Sequence, residues 1–85
     1  MRMDHPITLD QLPIGGAASI QSLDMDGTRR RRMMDLGFVP GASVSALHTG
    51  PWGDPVAYGI RGAVIALRKE DAAGIHITER NISHG

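Results

Sequence analysis

A chain of 85 residues, 41% hydrophobic and 21% charged, is long enough for one small core and buries only about 60 to 65% of its unfolded surface on folding. Nine basic residues balance nine acidic ones, which removes the electrostatic term behind non-specific affinity for DNA or RNA, so no nucleic-acid partner is expected. The lack of cysteine excludes disulfides, thiolate zinc sites, iron–sulfur ligation and thiol nucleophiles.

Ile7-Thr8-Leu9-Asp10-Gln11-Leu12 comes first. Thr8 and Gln11 stand at the spacing of a capping box, with Ile7 and Leu12 placed as a hydrophobic staple, and this predicts one helical turn ended by Pro13. Gly15-Gly16 supplies a turn, after which Ala17 to Leu23 reads as a first strand with Ala18 and Ile20 on one face and Ser19 and Gln21 on the other. Between Asp24 and Gly41 the start, body and stop signals of a helix follow in order. Asp26 is placed to cap the first orphan N–H groups, so the helix is expected to open near Gly27. Gly37 is free to take the left-handed conformation that closes a helix, which aligns Met33 with Phe38 for a Schellman contact and leaves Leu36 as the last helical residue or the cap. Val39-Pro40-Gly41-Ala42 then carries the residues of a type II turn.

Ala42 to Thr49 is the next strand, with Val44 and Ala46 opposed to Ser43 and Ser45, which implies one wet side. The turn-rich Gly50-Pro51-Trp52-Gly53-Asp54-Pro55 links it to Val56 to Ile60, where Val56, Tyr58 and Ile60 share a face. Arg61-Gly62 makes a tight connection to Ala63-Val64-Ile65-Ala66-Leu67. Being apolar on both faces, that run is expected to be the most buried strand, with the barrel interior on one side and the helix on the other. Its five residues are also the longest apolar run, far below the roughly 20 that span a bilayer, so no membrane insertion is expected. Lys69 to Ala73 predicts a helical turn closed by Gly74, Ile75 and Ile77 alternate with His76 and Thr78 in a last strand, and Glu79 to Gly85 is a polar tail. Without a repeat or a linker, residues 1–85 read as a single domain. It is mainly β: a small, partly open, SH3-like antiparallel barrel of about five strands with one helix inserted after the first strand.

The order and spacing of Leu36-Gly37, Pro40-Gly41, Pro51 to Pro55, Leu67-Arg68 and the Ala72 to Ile77 ending resembles the ferrous iron transport protein A family, FeoA, over nearly the whole chain. L-G-x-x-P-G, then G-D-P, then A-L-R are weak signals singly and specific together. Trp52 departs from the aliphatic residue usual in that family. The resemblance implies a stand-alone cytoplasmic domain that assists a membrane ferrous iron permease bearing a GTP-binding domain, and acts by protein–protein interaction. On the residues alone, the lack of a G-x-S-x-G elbow, a P-loop or a catalytic dyad likewise points away from an enzyme.

Two surfaces are candidates for the partner. The loop Pro51, Trp52, Gly53, Asp54 and Pro55 is bounded by prolines and carries the chain's only tryptophan, a residue enriched at interface hot spots. Two readings of Trp52 stay open, an outward anchor or a lid folded back over an end of the barrel. The run Arg29 to Arg32 is the other candidate, with Arg29 and Arg30 as docking cations; Asp24, Asp26 and Asp35 largely neutralise it, so a solvated helix face is the reading the sequence favours over docking. For metal, none of His5, His48, His76 and His84 is paired at helical ligand spacing. His48 and His76 remain the pair that strand pairing is able to join, with Glu79 or Asp54 as a third ligand. The alternative function is accordingly a metal-responsive module holding a divalent transition metal, zinc or ferrous iron, weakly and at the interface of a homo-oligomer.

Overall fold

The computed structural model describes residues 5–79. Six strands form one antiparallel sheet, in the order β1 (His5–Thr8), β6 (Ile75–Glu79), β2 (Ala17–Leu23), β3 (Ser43–Thr49), β4 (Val56–Ile60) and β5 (Ala63–Leu67). Sequence reasoning gives five strands because β1 is four residues long and contains Pro6. A proline has no N–H for a ladder and is tolerated on an edge, and β1 is an edge strand, with Pro6 opposite Thr78 and Ile7 opposite Ile77. The helix α1 (Gly27–Asp35) therefore follows the second strand, not the first. The polar tail beyond Glu79 lies outside the described residues.

The expected turn after Thr8 is a single 3-10 turn, Leu9–Gln11, and the side chain of Gln11 accepts from the Thr8 N–H at 3.0 Å to close the capping box. In β2 the alternation is broken by a bulge between Ile20 and Ser22. The extra residue resets the parity, so Ile20 and Leu23, three apart, both enter the core. Asp26 caps α1, its carboxylate accepting from the Arg29 N–H at 3.3 Å. At the other end the Phe38 N–H donates to the Met33 carbonyl and the Gly37 N–H to the Met34 carbonyl, both at 3.0 Å, with Gly37 at φ +110°. This is the Schellman pattern, and the two residues it brings together, Met33 and Phe38, are both buried. The Ala42 N–H closes the following turn on the Val39 carbonyl.

Core side chains come from every layer of the chain: Leu9 from the first turn, Ile20, Val44, Tyr58, Ile60, Ile75 and Ile77 from the strands, and Phe38 from the end of α1. Phe38 meets Tyr58 edge to face, ring centres 6.5 Å apart and planes at 89°, the arrangement the ring quadrupoles favour. Val56, Tyr58 and Ile60 share the inner face of β4 as expected, though Ala57 on the opposite face is buried too.

The expectation for Ala63 to Leu67 fails. β5 is the far edge of the sheet, only Leu67 is buried, and Val64 is 64% exposed. Alanine and valine make the run apolar, but they carry little area, and α1 packs elsewhere, against the core through Met33. Apolar composition on both faces marks a covered strand only when an element exists to cover it. The short helix α2 (Lys69–Ala72) follows β5 and packs on the Leu9–Gln11 turn.

Candidate partner-docking surface

The β3–β4 loop is built by its backbone. The Gly50 N–H donates to the Pro55 carbonyl at 3.1 Å and the Gly53 N–H to the Gly50 carbonyl at 3.0 Å, with Gly53 at φ +84°. These bonds fold Pro51, Trp52 and Gly53 into a tight, exposed tip. Trp52 is 90% exposed, so the indole stands away from the barrel and does not cap it.

Asp54 has a task that its sequence neighbourhood does not reveal. Its carboxylate accepts from the Lys69 N–H at 2.8 Å, the first helical residue of α2, and lies 3.8 Å from the Arg68 guanidinium. A carboxylate there satisfies an orphan donor at the positive end of the helix, so Asp54 ties the loop to the β5–α2 junction. Arg29 is engaged in the same way. Its guanidinium meets the Asp71 carboxylate of α2 at 2.7 Å, a hydrogen bond that raises its already high pKa. α2 is thus clamped from two sides, by α1 and by the β3–β4 loop. Neither contact was visible in the sequence, because the partners are 42 and 15 residues apart.

Arg30, Arg31 and Arg32 are exposed, and among the described residues none of them forms an ion pair. Arg30 and Arg31 line a shallow hollow with Gly27, Met34 and Asp35. The candidate histidines are kept apart. His76 on β6 lies opposite Ser22, near one end of β2, whereas His48 lies on β3 beyond Ser45, which is opposite Ala17 at the other end of β2. His76 has Asp24 for company, Nε2 to Oδ2 3.8 Å. Among the described residues no three His, Asp or Glu side chains gather as a metal site; His84 and the side chain of His5 lie outside them.

A family model described as the FeoA domain matches residues 7–79. The chain belongs to the FeoA family. A fusion protein of Porphyromonas gingivalis, named as Fe(2+) transport protein A joined to the Fe(2+) transporter FeoB, is 36% identical over 69 residues, 81% of this chain and 8% of that protein. The chain thus spans a small part of that relative's length. The solution structure of FeoA from Chlorobium tepidum is 33% identical, with a TM-score of 0.83 over 93% of this chain and 75% of that one. The FeoA of Stenotrophomonas maltophilia, crystallised with zinc and described as a prokaryotic SH3 domain protein and candidate activating factor of ferrous iron transport, is 31% identical. Its TM-score is 0.74 over 84% of this chain and 88% of that one. The SH3-like expectation holds, and this FeoA domain takes a sixth strand into it. Among the described residues no helix is long and apolar enough to cross a membrane.

Proposed function

We propose that this FeoA domain is a cytoplasmic accessory of ferrous iron uptake that docks, without chemistry of its own, on the cytoplasmic GTP-binding part of a membrane ferrous iron permease. The observation that carries the reading is the Porphyromonas gingivalis fusion, in which an FeoA-like segment and the transporter share one chain. A covalent link raises the effective concentration of two modules for each other, and that helps only if the modules meet. The β3–β4 tip supplies the anchor, with Trp52 flanked by Pro51 and Gly53, and Asp54 and Pro55 holding its shape. On α1, Arg30 offers an exposed cation that forms no ion pair among the described residues, and Arg29 braces α1 against α2 beside it. The test is retention of the permease's purified cytoplasmic domain on the immobilised protein, with and without guanine nucleotide and ferrous ion. Retention in at least one nucleotide state is expected; none in any state would remove the reading.

The zinc in the Stenotrophomonas maltophilia structure supports a second reading. Here a divalent transition metal, zinc or ferrous iron, bridges two molecules through His48 or His76, since the described residues of one molecule offer too few ligands in one place. Sedimentation mass would then double with zinc and fall back in His48→Ala or His76→Ala.

A further inference from the structure

Among the described residues, the edge strand β5 lacks the devices that protect sheet edges. Those devices are prolines, charges within the strand, bulges and covering elements. The opposite edge, β1, has Pro6. β5 reads Ala-Val-Ile-Ala-Leu, its register with β4 is unbroken from Ile60–Ala63 to Val56–Leu67, and among the described residues it pairs with β4 alone.

The outer face beside that edge is apolar across three strands. Val64 lies opposite Gly59, which has no side chain, and Leu47 reaches over Gly59 from the β3 bulge, its Cδ1 3.4 Å from where a Cβ on Gly59 would stand. Leu47 is 41% exposed and Val64 64%. Both ends of the edge carry exposed cations. Arg61 sits in the turn before β5, and Arg68 follows it with a side chain 69% exposed and, among the described residues, only the loose 3.8 Å contact to Asp54.

From this we infer that β5 is a strand-addition site that receives an extended segment of a protein partner, apolar at alternate positions and acidic at both ends. The partner's backbone completes the ladder along β5, its apolar side chains lie on Val64 and Leu47, and its terminal carboxylates meet Arg61 and Arg68. A second copy of this chain is a poor occupant. Antiparallel pairing of two β5 strands sets Arg61 of one beside Arg68 or Lys69 of the other, with like charges opposed. The inference rests on the docking reading of the domain but uses a different surface from Trp52.

The probe is a synthetic peptide of alternating valine and threonine with glutamates at both ends, and its counterpart with lysines. NMR titration should show the glutamate peptide binding with slowed amide exchange in β5, and about tenfold preferred over the lysine peptide. The double variant Arg61→Glu, Arg68→Glu should reverse the preference, and Val64→Asp, on an exposed face, should weaken both. Trp52→Ala should leave peptide binding intact, so loss of permease binding and loss of strand addition are read separately. No binding at about 1 mM peptide, equal binding of both peptides, or protection confined to other strands would overturn the inference. A dimer that protects β5 without peptide would do the same by naming a second copy as the occupant.

Discussion

Tyr58 is the residue whose ionisation the fold controls most. It is the chain's only tyrosine, it is buried, and its hydroxyl donates a long bond of 3.4 Å to the Leu9 carbonyl. Burial pushes its pKa from 10.0 up to about 12, and the carboxylates of Asp10 and Asp54 add to the rise. The proton is held more tightly in the folded state than in the unfolded one. The stabilisation is therefore fully present below about pH 10 and is lost as the pH climbs through about 12. The urea midpoint is expected to fall across that window in the wild type and to stay flatter in Tyr58→Phe, which gives up a weak hydrogen bond worth about 0.5 to 1 kcal/mol. A tyrosinate absorbance titrating near pH 10 in the folded protein would contradict the burial argument. Trp52 is the reverse case, an aromatic with almost no folded-state contact to lose. Trp52→Ala is expected to keep stability within about 0.5 kcal/mol while costing about 2 kcal/mol or more in affinity for the permease's cytoplasmic domain. A destabilised variant whose folded fraction binds normally would return Trp52 to a structural role.

Among the elements, α1 shows what local signals are able to specify. Its cap at Asp26, its exit at Gly37 and the Met33–Phe38 contact lie within a span of thirteen residues, counted from 26 to 38, and all are where the sequence puts them. Gly37→Ala is expected to cost about 1 to 2 kcal/mol, because a Cβ is penalised at positive φ and would also meet the Arg61 side chain at 3.2 Å. Denaturant midpoints of the two proteins measure it, and equal midpoints would refute the strain. β5 and Asp54 show the limit. Whether Ala63 to Leu67 is central or peripheral depends on the sheet order, and the acceptor for the α2 amide comes from a loop on the far side of two strands. Both facts belong to pairing between distant segments, which hydrophobic periodicity does not encode. The candidate site divides along the same line: the tip bearing Trp52 was legible from Pro51 and Pro55, whereas the bracing of Arg29 by Asp71 was not.

For the whole molecule, sheet register keeps the two candidate metal ligands apart. His48 and His76 belong to strands separated by β2, at opposite ends of it. Calorimetry with zinc or ferrous ion is accordingly expected to show no tight one-to-one site on the monomer, and submicromolar binding to a confirmed monomer, lost in His48→Ala or His76→Ala, would overturn that. The same register joins the first strand to the last, with His5 opposite Glu79, and inserts β6 between β1 and β2. The β1–β6–β2 part of the sheet therefore stays unassembled until β6 has left the ribosome. Its closing step joins residues about seventy positions apart, from His5 to Glu79, the kind of non-local pairing with which SH3-like barrels fold in roughly milliseconds to seconds. Stopped-flow circular dichroism is expected to find refolding in roughly that range, and refolding within microseconds would mean that the β1–β6 pairing forms after the barrier has been crossed.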